Sequence, residues 1–87
     1  MPELKFTKES WAEYLEWQSE DRRTLKRINQ LLKGLIRGDE EMTGKPELLK
    51  YNLTGLRSLR IDSKNRIVYR IDSDVITIYQ LKGHYDD

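Results

Sequence analysis

Residues 56–81 read LRSLRIDSKNRIVYRIDSDVITIYQL, and their texture decides the fold. Three segments rich in β-branched and aromatic residues, LRSLRI, NRIVYRI and VITIYQL, are separated by DSK and DSD, polar stretches that favour turns. The pattern predicts three antiparallel strands joined by short hairpin loops. With three-residue loops at 62–64 and 72–74, facing positions sum to 126 and 146, which sets Arg60 opposite Arg66 and Arg66 opposite Gln80. Side chains alternate between the faces of a sheet. One face then carries Leu56, Ser58, Arg60, Arg66, Val68, Arg70, Ile76, Ile78 and Gln80; the other carries Leu59, Ile61, Ile67, Tyr69, Ile71, Val75, Tyr79 and Leu81. The second is the apolar one and should meet the helices. On an extended last strand, His84 falls beyond Gln80 on the arginine face. Two facing arginines repel unless an anion lies between them or water solvates both. At this point either reading stands.

Upstream, Leu4–Phe6 forms a short apolar-alternating segment, and Thr7 is placed to cap a helix running to about Ser19. Trp11, Tyr14, Leu15 and Gln18 recur at helical spacing, which predicts an aromatic buried face. Aromatics in this pattern form core far more often than a base-stacking platform. Leu25, Ile28, Leu31, Leu32, Leu35 and Ile36 then mark a second amphipathic helix from near Asp21 to just before Gly38, joined to the first as a hairpin. Residues 38–52, with Gly38, Gly44 and Pro46, read as a loop. The order strand, two helices, three strands makes a two-layer α+β domain, with helices on one face of an antiparallel sheet.

Eighty-seven residues are expected to form one domain, 1–87, around a single core. With no cysteine there is neither disulfide nor thiolate site, and one histidine without a carboxylate pair beside it argues against a catalytic metal. A charged beginning and the lack of a long apolar run predict a cytoplasmic protein that does not engage membranes. The net charge of +1 conceals a partition: residues 1–21 hold six acids and two bases, 22–37 six bases and no acid, and 44–70 seven bases against Glu47 and Asp62. Two basic stretches suit a polyanion partner, though a solvated cationic surface has the same composition.

His84 titrates near neutrality and so is a candidate proton donor, although residues in its position are commonly frayed surface. Glu47 lies between Lys45 and Lys50, which favour its ionised form, as a general base or a surface ion pair alike.

The stretches WAEYLEWQSEDRRTLKRINQLL, GKPELLKYNLTGLRSLRI, NRIVYRI and GHY, in this order and spacing, resemble the YoeB/Txe branch of the RelE/ParE toxins over nearly the whole chain. The resemblance implies a RelE-like fold and a ribosome-dependent endoribonuclease that cleaves mRNA in the A site by 2′-OH attack, without metal or other cofactor. Glu47 in GKPE matches the family's proposed general base and Arg66 in NRIVY its phosphate-stabilising arginine; His84 and Tyr85 match the terminal pair, with His84 the general acid. Lys50 and Arg60 match residues that hold the RNA backbone. A YefM/Axe-like antitoxin is the implied partner, and a homodimer is left open. A non-catalytic ParE-like toxin or an RNA-binding module would share the scaffold. The chain departs from the family where Tyr51 and Asn65 stand for frequent histidines and Leu59 for an arginine, in Gly83, and in the added Asp86 and Asp87.

Overall fold

The computed structural model describes residues 2–38 and 55–83, and the backbone of 47–48 between them. In chain order the elements are β1 (Glu3–Phe6), α1 (Lys8–Glu20), α2 (Arg22–Arg37), β2 (Glu47–Leu48), β3 (Arg57–Arg60), β4 (Arg66–Asp72) and β5 (Val75–Gln80). The strands form one sheet in the order β1-β5-β4-β3-β2, with the α+β layering expected. β1 runs parallel to β5 and the remaining neighbours are antiparallel, so the sheet is mixed. The short strand β2 lies within the stretch read from sequence as a loop; two residues are too few to show periodicity. None of the described helices is long and apolar enough to cross a membrane.

Both helices start and stop where their capping residues dictate. The Thr7 hydroxyl accepts the Ser10 amide, and the Asp21 carboxylate accepts the amides of Arg23 and Thr24, so donors that lack an intrahelical partner are satisfied. Asp21 alone separates the helices. Gly38 ends α2 at φ 79°, a conformation that glycine adopts without a Cβ clash.

The buried face of α1 is not the one that Trp11, Tyr14, Leu15 and Gln18 predicted. Trp11 is 47% exposed and Leu15 46%, whereas Trp17 is 7% exposed and Ser10 fully buried. The reason is polar: Ser10 Oγ donates to the Ile78 carbonyl at 2.7 Å and Trp17 Nε1 to the Leu81 carbonyl at 2.9 Å. These bonds turn the 10–17 edge of the helix onto β5 and leave Trp11 on the outside, packed with Phe6 and Tyr14. Trp17, Ile28, Leu31, Leu32 and Leu35 meet Leu59, Ile61, Ile67, Tyr69, Ile76, Ile78 and Leu81 in the core.

The β3–β4 register is as expected, with Arg60 opposite Arg66 and Leu59 opposite Ile67. The β4–β5 register is not. Its loop holds two residues, Ser73 and Asp74, so Asp72 faces Val75 and Tyr69 faces Ile78, one step from the predicted pairing. A one-residue change reverses the faces: Ile76 and Ile78 enter the core, while Tyr79 is exposed. Ser73 takes the turn at φ 56°. Further along, the ladder slips between Val68 and Tyr69 so that Val68, not Arg66, faces Gln80, with Tyr79 the extra residue.

The β3–β4 turn is built on Asp62. Its carboxylate accepts the amides of Lys64 and Asn65, each at 2.8 Å, and the Asn65 side-chain NH2. Partial burial pushes this carboxyl up, but those bonds and the charge of Lys64 outweigh it and hold it below the usual carboxylate range. The turn's contribution is therefore present above the unfolded carboxyl pKa and lost as pH falls through the lower folded value.

Two measurements check this fold. Ile78→Ala should cost about 2–5 kcal/mol in urea unfolding and Tyr79→Ala clearly less; equal costs, or the reverse order, would restore the register expected from sequence. Between roughly pH 5 and pH 3, Asp62→Asn should lose less stability than wild type, because it removes one carboxyl whose protonation opposes folding.

Candidate functional site

Two cross-strand rows of the sheet gather the polar candidates. In one, the backbones of Glu47, Ser58, Val68 and Gln80 lie in successive register across β2, β3, β4 and β5; in the other, Arg60 faces Arg66. Arg66 bridges the rows, because its Nε donates to Ser58 Oγ at 3.0 Å. Ser58 is buried and fixes the guanidinium stem against the sheet. Arg60 leans the other way, its Nε reaching the Asp62 carbonyl at 3.4 Å. The like charges are thus drawn apart along the strands while both stay on one face, an arrangement that suits an anion with several oxygens.

The chain beyond β5 is tied to the same place. Gly83 N–H donates to Asn65 Oδ1 at 2.8 Å, and the Gly83 carbonyl accepts the Arg66 amide at 3.1 Å and Gln80 Nε2 at 3.1 Å. From the helix side, Glu13 Oε1 accepts the amides of Leu81 and Lys82 at 2.7 and 3.1 Å. Lys82 Nζ bonds Glu16 at 3.0 Å and Glu20 at 2.9 Å and lies over the Trp17 ring. Those bonds, Glu20 foremost, raise its pKa. The last strand does not run on in extended form: Gly83 has φ 79°, and the chain bends at the residue preceding His84.

Of the residues singled out from sequence, Arg60 and Arg66 come together as expected. Glu47 enters through the backbone of β2, in register with Ser58. Lys50, His84, Tyr85, Tyr51, Asp86 and Asp87 lie outside the described residues. The sequence reading missed Ser58 and Asn65 as partners of the site. Alternation already put Ser58 on the arginine face; Asn65 stood out only as a departure from the family's frequent histidine, since in a turn asparagine is commonplace.

The sequence and fold have close counterparts. Over residues 6–85 the chain matches the family described as YoeB-like toxin of bacterial type II toxin-antitoxin system. Toxin YoeB of Escherichia coli strain K12 is 44% identical over 82 residues, spanning 94% of this chain and 98% of that protein. A chain of the heterotetrameric YoeB–YefM complex from Staphylococcus aureus superposes with a TM-score of 0.83 at 40% identity, over 98% of this chain and 99% of that one. The YoeB dimer from the same organism gives 0.85 at 39% identity, over 97% and 98%. With the match extending from β1 past the bend at Gly83, this chain belongs to the YoeB-like toxins of bacterial type II toxin–antitoxin systems.

Proposed function

We propose that the protein is a ribosome-dependent, metal-independent mRNA endoribonuclease that uses Glu47 as general base, His84 as general acid and Arg66 as the phosphate-stabilising group. The observation that carries this reading is the convergence of three chain segments on Arg66: its Nε is bound to Ser58, the register partner of Glu47, and its amide to Gly83, the residue before His84. In the proposed step Glu47 takes the proton of a ribose 2′-OH, O2′ attacks the adjacent phosphorus, and the P–O5′ bond breaks as His84 protonates the departing 5′-oxygen. The products are a 2′,3′-cyclic phosphate and a 5′-hydroxyl. Arg66, with Arg60 and Lys50, meets charge growing on the phosphoryl oxygens. Tyr85 is assigned to the same site, as a second donor or a stacking surface. The ribosome would hold the message in the in-line geometry that the small site cannot impose alone.

The relatives' complexes support a matching inhibitor and assembly: the S. aureus toxin occurs with YefM and as a dimer. For this chain we assign a YefM-like antitoxin whose acidic, folding-on-binding segment covers Arg60, Arg66 and His84. Such a complex should weaken as salt rises and should not cleave message; full cleavage by the complex would exclude this mode of inhibition.

Toeprinting of a translating mRNA tests the activity. A discrete cut at the A-site codon is expected, and a single 2′-deoxy substitution at the scissile position should abolish it while leaving phosphate-driven binding largely intact. Glu47→Ala and His84→Ala should each slow single-turnover cleavage by roughly 10²–10⁴-fold, and Arg66→Ala by at least a similar factor. Normal cutting of the deoxy message would overturn the chemistry, and no cut at all would leave a ParE-like, non-catalytic toxin or an RNA-binding module.

A further inference from the structure

The three residues before His84 are held more closely than a strand end requires. β1 accompanies β5 only as far as Ile78, so the groups of Leu81 and Lys82 have no strand beside them on that side. Helix α1 takes the strand's place, with Glu13 accepting two amides and Trp17 donating to the Leu81 carbonyl. Across the sheet, Asn65 and Arg66 take both polar groups of the Gly83 backbone. These partners come from separate parts of the sequence, 68 residues away for Glu13 and 18 for Asn65.

We propose that Asn65 and Glu13 are positioning residues for His84, acting through the backbone of residues 81–83. The inference rests on the reading of His84 as the general acid. A peptide unit is planar, so the Arg66 amide that holds the Gly83 carbonyl also orients the bond leading to residue 84. Gly83 bends the chain at a positive φ, a conformation that other residues resist, and Asn65 Oδ1 holds the N–H on the near side of that bend. Asn65 is fixed in turn, because its side-chain NH2 donates to both oxygens of Asp62 at 3.0 and 3.1 Å. A relay thus runs from Asp62 through Asn65 to Gly83 and ends beside Arg66, the group the general acid must face. Glu13 fixes the same segment from the helix layer.

His84 is the only histidine, so its imidazole C–H signals give a single NMR reporter in the intact chain. Asn65→Ala should shift or broaden those signals and slow single-turnover cleavage of ribosome-bound message by about 10- to 100-fold, the scale of a small misplacement of a catalytic group. KM for the programmed ribosome should stay within about twofold, as for loss of an interaction used only in the transition state. In a His84→Ala background the same change should cost nothing further, because it acts through the imidazole. The paired swap Asp62→Asn with Asn65→Asp retains an acceptor for the Gly83 amide and a donor beside it, and should recover most of the rate. Glu13→Gln, which keeps one acceptor oxygen, gives a milder loss of the same kind and carries the test if Asn65→Ala does not fold. Unchanged imidazole signals in a folded Asn65→Ala protein, or an equal further loss in the His84→Ala background, would overturn the proposal. If His84→Ala itself cut at the wild-type rate, the assignment of the acid would fall, while the imidazole signals would still decide whether the clamp orders residue 84.

Discussion

Between Val68 and Tyr69 the ladder of β4 and β5 slips by one residue, and the outer face of the sheet depends on that slip. Before it, Tyr69 opposite Ile78 sends both side chains into the core; after it, Val68 opposite Gln80 puts the pair on the face of Ser58 and Arg66. A regular ladder would have carried Gln80 toward the helices and Leu81 out to solvent. The extra residue, Tyr79, restores the alternation, so that Leu81 closes the core while Gln80 reaches the Gly83 carbonyl. Bulges commonly re-aim a strand in this way. Here the bulge brings the exit of β5 against the entry of β4, where Asn65 and Arg66 receive it.

The arginine face shows how a like-charge pair is accommodated. Directly opposed guanidinium groups would repel, but Arg66 is drawn toward Ser58 and Arg60 toward the Asp62 carbonyl. Neither of these partners carries charge at the bonding atom. These bonds hold the pair in place and limit the side-chain freedom that binding would have to remove.

Local chemistry was the legible part of the fold. Thr7, Asp21 and Gly38 bound the helices because capping preferences act within a few residues, and the β3–β4 pairing followed from a turn that Asp62 closes locally. Where long-range contacts decided, the sequence reading failed. On α1 the stripe through Trp11 and Leu15 looked more apolar than the one through Ser10 and Trp17, yet Ser10 and Trp17 can satisfy carbonyls of β5 and so face inward. On β5, DSD reads as well for a two-residue as for a three-residue loop, and the choice inverts Ile76 and Ile78. For the site, the strand register put Arg60 and Arg66 together and residue chemistry singled out Glu47 and His84, to which the family resemblance gave roles, whereas the contacts of Ser58 and Asn65 needed coordinates.

The charge partition acquires a structural meaning from the same contacts. Glu13, Glu16 and Glu20 lie along one edge of α1 at helical spacing, and all three act on residues 81–82: Glu13 on their amides, Glu16 and Glu20 on Lys82. Three of the six acids in the first 21 residues are therefore engaged by this segment, on the side of the sheet away from the arginines. On the basic side, Arg70 is paired with Asp72 at 2.7 Å and Asp62 is turned into its own loop. The net charge of +1 is therefore unevenly placed, with three acids of α1 drawn to the segment that leads to His84. Helix α1 thus acts on the sheet at two points, through Ser10 on Ile78 within β5 and through Glu13 and Trp17 on residues 81 and 82 beyond it.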